Sequence, residues 1–334
     1  MYSLDNICFA ENKLSSLVDR FTKRGGKYLF VDEVHKYPNW AVELKNFYDD
    51  YPELKIVFTG SSLLEILNSR ADLSRRAVIY NMQGLSFREY INLYKGLNLR
   101  TFTLQDILDN HLNLAQEISQ QIRPFEHFGG YLQHGYYPFY FEHTELYYQR
   151  IEEVINMILE IELPLLRQVE IAYTPKLKQL LQIISQSVPF IPNVTKISER
   201  IGINRTTLLS YLHYLKEAHL TINLYKSTQG ISKLQKPDKI FLENTNLIYT
   251  LSPQTINWGN LRETFIANQL DYNHNIEFSN ESDFLIDGQY TLEVGGKGKS
   301  NKQIKQVSRA FIAADDIEYG IDNKIPIWLF GFLY

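Results

Sequence analysis

Short apolar runs separated by a stretch with helical spacing define the first 95 residues. Residues 28–31 and 55–58 are nearly all apolar, whereas the apolar residues of 40–48 recur at helical intervals. A strand, a helix and a second strand in this order predict a parallel sheet, and strands without polar alternation predict a sheet covered on both faces. The pattern therefore predicts a partial α/β domain over residues 1–95, in which the sheet is parallel.

The middle of the chain has two different helical patterns. Residues 96–190 have predominantly helical spacing, interrupted at Gly129-Gly130. Residues 191–238 are expected to contain a short helix, a turn at Gly202 and a longer helix with one apolar face, followed by a pair of strands. A helix-turn-helix followed by a β-hairpin, or wing, is the pattern of a winged-helix region.

Strand patterns return in the last part of the chain, residues 239–334. Apolar runs predict strands at residues 239–242, 282–286, 290–294 and 325–330, with a helix at 261–270 among them. The Asp287-Gly288 pair between two of these runs predicts a tight hairpin. We expect this part of the chain to form a second α/β domain.

The composition is that of a globular protein, and the net charge limits the kinds of partner that the whole protein would attract. Hydrophobic residues make up 44% and charged residues 22% of the 334 positions, and the formal net charge is -4. This charge gives no overall attraction to nucleic acid or to an anionic membrane, so DNA contact requires a local patch. The single cysteine, Cys8, excludes an intramolecular disulfide and a cysteine-based zinc site. With no visible leader or membrane span, we expect a cytoplasmic protein with no membrane partner.

Polar residues at the ends of the two N-terminal strands are the strongest functional signal. Asp32 and Glu33 end the first strand, and Thr59, Ser61 and Ser62 follow the second. The carboxyl ends of parallel strands border the crevice where ligands bind. We expect Asp32 to hold Mg²⁺, with Ser62 beside the same ligand, and Glu33 to polarise an attacking water that Thr59 or Ser61 orients. The alternative is a solvated acidic pair that caps the next helix.

A basic cluster of Arg70, Arg75 and Arg76 follows within one helix or loop. One of these guanidinium groups could reach a phosphate, including one across a subunit boundary as an arginine finger. Surface arginines on a polar segment fit the same pattern equally well.

As an ordered set, these motifs resemble a prokaryotic AAA+-type ATPase family in which a C-terminal region of undefined function follows the ATPase domain. The resemblance lies in LFVDEVHKYPNW at 29–40, FTGSS at 58–62, LSRR at 73–76, LSFREY at 85–90, and GGY and GYYP within 129–138. It implies an ATP and magnesium site in which Asp32 and Glu33 are the Walker B pair. It also implies that Thr59 begins the sensor segment, that Arg75 or Arg76 is the conserved arginine, and that the protein forms a homo-oligomer.

The sequence departs from this family at the phosphate loop. Family members carry G-x-x-x-x-G-K-[ST] upstream of Walker B, and residues 1–31 contain no such loop. Because the backbone N–H groups and the lysine of that loop bind the triphosphate, we expect impaired hydrolysis. An N-terminally truncated sequence and a decayed paralogue both explain the missing Walker A loop. A degenerate match at residues 293–300 has Glu293 in place of the first glycine and lies downstream of Walker B.

Three acidic residues and a lysine lie on neighbouring elements of the last domain. Asp283 and Glu293 lie on adjacent predicted strands, Glu263 lies on the preceding helix, and Lys297 follows closely. This set resembles the PD-(D/E)xK fold of restriction endonucleases. Two such carboxylates can hold a divalent ion while a lysine steadies an attacking hydroxide. Position 295, where a Glu-x-Lys motif places its lysine, is glycine, so Lys297 would act from a displaced position. A nuclease-like fold retained for its shape is the alternative.

DNA binding through the winged helix is a further hypothesis. The second helix of the helix-turn-helix carries polar and basic residues, as a DNA-reading helix does. Four lysines lie on or beside the proposed wing: Lys226, Lys233, Lys236 and Lys239. The leading interpretation is thus an AAA+-type ATPase family member without its phosphate loop. A metal-dependent nuclease and a non-catalytic DNA- or protein-binding module compete with it.

Overall fold

The structure, a computed structural model, describes residues 2–4, 6–10, 12–60, 73, 75–187, 189–226, 235–254 and 256–334. The chain divides into two compact units. The first contains residues 1–82 and 160–169, and the second contains residues 83–159 and 170–334. The division of the chain into four domains stays a prediction.

The first unit is built on a three-stranded parallel sheet, here called the N-terminal sheet. Its elements are β1 (Tyr2–Ser3), α1 (Leu14–Lys23), β2 (Tyr28–Asp32), α2 (Trp40–Asp50) and β3 (Lys55–Phe58). The strands lie side by side in chain order. Because both crossovers advance in the same direction and such crossovers are right-handed, α1 and α2 lie on the same face of the sheet. Because both strand pairs are parallel, the predicted parallel sheet is confirmed.

The two faces of the N-terminal sheet differ in burial. Leu29 and Val31 are buried in a cluster that includes Val18 of α1 and Leu44 of α2. On the other face Tyr28 is 70% exposed, Phe30 49% and Val57 51%. The expectation of a sheet covered on both faces is wrong for these side chains, since both helices pack on one side.

The remaining α-helices of the described residues lie between residues 87 and 271. They are α3 (Phe87–Lys95), α4 (Leu104–Ser119), α5 (Pro124–His134), α6 (Tyr147–Met157), α7 (Leu163–Arg167), α8 (Thr174–Ser185), α9 (Val194–Ile201), α10 (Arg205–Glu217), α11 (Thr245–Leu251) and α12 (Trp258–Asp271). Of these, α7 falls in the first unit. Ser86 caps α3 and Thr103 caps α4, each through a capping box with the acidic residue three positions on. Gly129-Gly130 was expected to interrupt a helix, but α5 runs through both glycines.

The helix-turn-helix pattern is present in the second unit. Gly202, with a φ of 71°, ends α9, and the Asn204 side chain caps α10. A two-stranded antiparallel sheet follows, formed by β4 (Thr221–Leu224) and β5 (Lys239–Leu242). Part of the proposed wing, residues 227–234, lies outside the described residues.

The second unit ends in a five-stranded mixed sheet, here called the C-terminal sheet. Its strands are β6 (Ile276–Glu277), β7 (Phe284–Ile286), β8 (Tyr290–Gly295), β9 (Ala310–Ala314) and β10 (Lys324–Pro326). The first three pair antiparallel, and β8, β9 and β10 pair parallel. Asp287 and Gly288 both have positive φ, as the predicted hairpin requires. The strand predicted at residues 325–330 is wrong beyond Pro326, where a 3-10 helix, Ile327–Phe332, begins.

An aromatic core joins the helices of the second unit to the end of the chain. The rings of Phe87, Phe128, Tyr131, Phe265 and Phe332 form contacts with centroid distances between 5.0 and 6.1 Å. Phe87 belongs to α3, which sequence analysis assigned to the N-terminal domain. Packing against this core instead groups α3 with the second unit. None of the helices within the described ranges has the length and apolar character needed to cross a bilayer.

Candidate functional site

The ends of the N-terminal strands bring Asp32 and Thr59 together. Asp32 is the last residue of β2, and Thr59 directly follows β3, whose Phe58 pairs with Val31. The Thr59 backbone N–H donates to the Val31 carbonyl at 2.9 Å, and the Thr59 Oγ1 hydroxyl donates to Asp32 Oδ1. Parallel pairing therefore places a carboxylate and a hydroxyl side by side at the carboxyl ends of β2 and β3, as the sequence predicted. This end of the N-terminal sheet is here called the N-terminal edge.

Glu33 has a left-handed backbone conformation with a φ of 55°. A non-glycine residue in this region costs about 1 kcal/mol, so neighbouring contacts must hold it there. The Val34 backbone N–H after it donates to the Thr59 carbonyl at 3.0 Å. The Glu33 carboxylate lies 3.5 Å from His35 Nε2 and is partly exposed. Glu33 thus lies beside the Asp32–Thr59 pair with its carboxylate oriented by His35.

Within the basic cluster, Arg76 is paired away from Asp32 and Thr59. Arg76 forms a double hydrogen bond with Asp49, at 3.0 Å from Nε and 3.1 Å from Nη2. Asp49 lies at the end of α2, which leads into the start of β3. Arg76 and Asp49 are therefore at the amino ends of the strands, opposite the carboxyl ends where Asp32 lies. Arg75 has a positive φ of 68°. The predicted residues Ser61, Ser62 and Arg70 lie outside the described residues.

A second set of acidic residues converges in the second unit. Glu263 of α12, Asp283 before β7 and Glu293 of β8 form what we call the carboxylate cluster. Lys239 of β5 joins two of them, with Nζ at 2.7 Å from Glu263 Oε2 and 3.4 Å from Asp283 Oδ1. The other oxygen of Asp283 accepts the Val294 backbone N–H at 2.8 Å. The sequence prediction that these three carboxylates lie close together agrees with this geometry.

The lysine beside Glu293 is Lys299. Its Nζ lies 2.5 Å from Glu293 Oε1, whereas the Lys297 side chain is exposed and its carbonyl accepts from Lys324. A Cβ added at Gly295 would lie only 2.8 Å from the Lys299 side-chain carbons. Glycine at the Glu-x-Lys position therefore leaves the space that Lys299 fills. The proposed role of Lys297 as the displaced lysine does not match this geometry.

Burial and neighbouring charges perturb the titration of the carboxylate cluster. Burial raises the pKa of Glu263, and the nearby Asp283 charge adds to the rise while Lys239 opposes it. Burial alone would lower the pKa of Lys299, but its hydrogen bond to Glu293 and the surrounding carboxylates raise it overall. Among the residues that the structure describes, no group of three or more His, Cys, Asp or Glu side chains is arranged to hold a metal ion. The lysines instead neutralise the acidic oxygens.

Lys239 and Arg262 are the residues of this region that sequence reasoning missed or misplaced. Lys239 was expected on a basic edge of the wing, but it is only 7% exposed. Arg262, one residue before Glu263, donates to Asp315 at 2.7 Å. A lysine within the apolar run of residues 239–242 was the available signal, because a buried lysine needs an acidic partner. Lys233, also assigned to the wing, lies outside the described residues.

The helix-turn-helix exposes polar and charged residues on its second helix. Arg205, Thr206 and Lys216 of α10 are exposed, whereas His213 lies 3.3 Å from Glu217.

The degenerate phosphate-loop match at residues 293–300 leads from β8 into turns, with no helix following. It therefore lacks the helix N-terminus that a phosphate loop uses to bind an anion.

Comparison with known proteins supports an AAA-type, ATPase-like N-terminal region. The family model of an AAA domain matches residues 1–91, and a model of a domain of unknown function, DUF8612, matches residues 125–257. A similar protein is the uncharacterized protein MJ1637 of Methanocaldococcus jannaschii, which is 24% identical over 353 aligned positions. The alignment covers 97% of this chain and 74% of that protein. No solved structure matches the chain.

Proposed function

We propose that the edge formed by Asp32, Glu33 and Thr59 is the magnesium-and-water half of an AAA-type ATP site. The main support is the Thr59–Asp32 hydrogen bond, which brings two neighbouring strand ends into one polar group. In this proposal Asp32 is the ligand for Mg²⁺, and Glu33 orients a water molecule. The left-handed backbone of Glu33 is consistent with a residue held for function.

The residues present fit a magnesium ion but not a whole nucleotide. Mg²⁺ binds through one or two carboxylates together with phosphate oxygens and water, and Asp32 supplies such a carboxylate. The phosphates themselves need a glycine-rich loop and its lysine, and residues 1–31 contain neither in that pattern. We therefore assign Mg²⁺-dependent nucleotide association to this edge and assign no hydrolytic step.

Binding of a fluorescent ATP analogue to the whole chain, measured by anisotropy with and without Mg²⁺, tests the assignment. We expect weak, Mg²⁺-dependent binding that Asp32→Asn weakens about tenfold or more, since a charged ligand is lost. Asp50→Asn, which changes an exposed carboxylate at the end of α2, is the matched control and should leave binding unchanged. Micromolar binding that survives Asp32→Asn combined with Glu33→Gln would falsify the assignment.

A metal-dependent nuclease is a second proposal, and it rests on the proximity of the residues in the carboxylate cluster. We propose that residues 239–334 have a restriction-endonuclease-like fold, supported by α12 and the order of β6 to β9 around the carboxylate cluster. Magnesium-dependent nicking of supercoiled plasmid that Asp283→Ala or Glu293→Ala abolishes is the expected result. Equal activity in the wild-type chain and both variants would reject this second function.

DNA association through a winged helix is proposed on narrower grounds. Its support is the succession of α9, the Gly202 turn, α10 and the β4–β5 pair. Exposed Arg205 and Lys216 are candidates for phosphate contact. Arg205→Ala is expected to weaken salt-dependent DNA binding, while Lys178→Ala on α8 serves as a control outside this helix pair.

A homo-oligomer is a separate proposal, and the mass of the particle in solution tests it.

A further inference from the structure

A cavity of about 490 Å³ lies in the first unit between the start of α1, residues 37–39 and one face of α2. It is here called the α1–α2 cavity. Its volume is within the roughly 300–1,000 Å³ of small-molecule sites in proteins. All of its lining residues lie between positions 13 and 51, and Asp32 and Glu33 are not among them. The α1–α2 cavity is therefore distinct from the N-terminal edge.

The charged groups that line the cavity carry one excess negative charge. Two carboxylates, Glu43 and Asp50, and one ammonium, Lys13, border it. Because Glu43 and Asp50 are seven residues apart on α2, they lie on the same face of the helix, roughly 10 Å apart along its axis. Asp50 also ends α2, where the helix dipole favours a cation. The cavity therefore favours a cation over an anion.

The Glu43 carboxylate has fewer partners than its oxygens can accept. The Tyr37 hydroxyl accepts from the Leu14 backbone N–H at 3.1 Å and donates to Glu43 Oε1 at 3.2 Å. Glu43 Oε2 is buried and has no hydrogen-bond partner among the described residues. A buried polar atom without a partner is uncommon in folded proteins. Because the last torsion of a glutamate side chain is soft, either oxygen can turn toward a donor in the cavity.

Two asparagine side chains add further acceptor oxygens. Asn39 precedes α2 with a left-handed φ of 59°, and its side chain does not cap the helix. An asparagine at this position usually accepts a hydrogen bond from the first turn, so the Asn39 amide is available to the cavity that it lines. Asn46 lines the cavity from the same face of α2, between the two carboxylates. A ligand with several N–H donors can therefore meet several acceptors.

Aromatic rings form another part of the wall. Tyr37 and Tyr51 line the cavity, and Phe9 packs edge-on against the Tyr37 ring at a centroid distance of 6.3 Å. A guanidinium combines five N–H donors with a flat face that stacks on aromatic rings, whereas an ammonium has three donors and no flat face. The combination of acceptors and rings thus suits a guanidinium better than an ammonium.

We propose that the α1–α2 cavity binds one organic guanidinium cation on an alkyl chain, of the size of an arginine side chain. Its N–H groups donate to Glu43 and to the amide oxygens of Asn39 and Asn46. Tyr37 orients Glu43, and Asp50 adds attraction at longer range. A free alkylguanidine and an arginine side chain of a peptide both carry this group. The proposal goes beyond the ATP and nuclease functions and does not depend on either.

Calorimetric titration of the whole chain with n-butylguanidinium tests the proposal. We expect millimolar or tighter binding that Glu43→Gln weakens about tenfold or more, because a charged acceptor is lost. Glu53→Gln removes an exposed carboxylate of the first unit that does not line the cavity, and it should bind like the wild type. n-Butylammonium should bind about threefold more weakly or less, since it has fewer donors.

A variant of opposite sign covers the case in which Glu43→Gln does not fold. Lys13→Met removes an exposed ammonium that repels a cation, so it should tighten binding about twofold or more. Asp32→Asn should bind n-butylguanidinium like the wild type, which separates this site from the proposed ATP site.

Three results would overturn the proposal: no binding at millimolar n-butylguanidinium, equal binding by Glu43→Gln and Glu53→Gln, or weaker binding by Lys13→Met. Tighter binding of n-butylammonium than of n-butylguanidinium would overturn the assignment of a guanidinium.

A blocked tripeptide, N-acetyl-glycyl-arginyl-glycinamide, distinguishes the two sources of the cation. Binding of this peptide about tenfold tighter than n-butylguanidinium supports an arginine side chain, because the peptide backbone then adds contacts. Equal or weaker binding of the peptide supports a free alkylguanidine.

Discussion

In the N-terminal sheet Phe30 of β2 is 49% exposed, whereas in the C-terminal sheet Phe284 of β7 is fully buried. The difference follows from topology. Strands in chain order place α1 and α2 on one face of the N-terminal sheet. In the C-terminal sheet, by contrast, β8 is buried along most of its length, including Thr291 and Glu293 on one face and Leu292 and Val294 on the other.

The same difference decides how each sheet treats its acidic residues. Asp32 lies at an open edge and is contacted by a neutral hydroxyl, that of Thr59. The carboxylates of the C-terminal sheet are more enclosed, and each contacts a lysine or a backbone N–H. An accessible carboxylate is stabilised by water until a ligand arrives, whereas a buried one needs a fixed partner. The carboxylate at the N-terminal edge is therefore accessible to an external cation, whereas the carboxylate cluster has internal ones.

The largest expected effect concerns the two phenylalanines. Phe284→Ala should reduce the free energy of unfolding of the second unit by about 4 kcal/mol, because it leaves a cavity in a closed core. Phe30→Ala should cost less than about 1 kcal/mol, since half of that side chain is already in water. Urea titration followed by hydrogen exchange of peptides from each unit measures both. Equal losses would show that the exposed face of the N-terminal sheet is covered in solution.

Removal of the buried ammonium is expected to have the next largest effect. Lys239→Met should destabilise the second unit by about 3 kcal/mol at pH 7, because Glu263 and Asp283 then face each other without a cation. The pKa of Glu263 is already raised, so the loss should shrink as the pH falls and that carboxyl becomes protonated. Thermal unfolding at several pH values measures this trend.

The matched change in the first unit is Arg76→Met, which removes the partner of Asp49. This exposed pair should make no measurable difference to unfolding, because water and salt screen it. A clear loss of stability in Arg76→Met would mean that charge pairs in the two units do not differ as burial predicts.

A smaller effect is expected at the proposed magnesium edge. Thr59→Val removes the hydroxyl that donates to Asp32 and should change the free energy of unfolding by less than about 1 kcal/mol, since the site is exposed. Hydrogen exchange of peptides spanning residues 28–34 measures this change in stability. A much larger loss in the free energy of unfolding would indicate that Thr59 has a structural role rather than a role in nucleotide binding.

The smallest expected effect is a pH dependence near the helix-turn-helix. The hydrogen bond to Glu243 and the negative charge of that carboxylate raise the pKa of His219, although burial opposes the rise. A raised pKa in the folded state gives stability that is fully present below pH 6.5 and is lost as the pH rises through the folded value. His219→Gln should therefore lower the melting temperature slightly at pH 5.5 and leave it unchanged at pH 8.5. The His219 side chain is 39% exposed, so the effect should stay within about 0.5 kcal/mol.

Much of the local structure could be predicted because it depends on neighbouring residues. The apolar runs gave β2 and β3, the spacing from Trp40 gave α2, and Asp287-Gly288 gave the hairpin. The short strand β9 was missed, since residues 296–309, which connect it to β8, have no helical pattern that would predict a parallel crossover. Gly129-Gly130 was misinterpreted because helix packing outweighs the low helix propensity of glycine.

The sequence by itself determined the residues of the two candidate sites. Asp32, Glu33 and Thr59 were found from strand ends, and Glu263, Asp283 and Glu293 from carboxylates on neighbouring elements. The carboxyl ends of neighbouring parallel strands lie on the same side of a sheet, so the proximity of Asp32 and Thr59 follows from the pattern. The predicted AAA-type character of the N-terminal region is supported by the AAA domain model that matches residues 1–91.

Only the tertiary structure decided which cations accompany those carboxylates. Lys239 lies 24 residues from Glu263 along the chain and 44 from Asp283. Lys299 reaches Glu293 only because Gly295 has no side chain in the way. A charge pair of this kind depends on distance and burial after folding, which no local pattern specifies. The exposed face of the N-terminal sheet has the same origin, since the side on which two helices pack is set by the order of the strands.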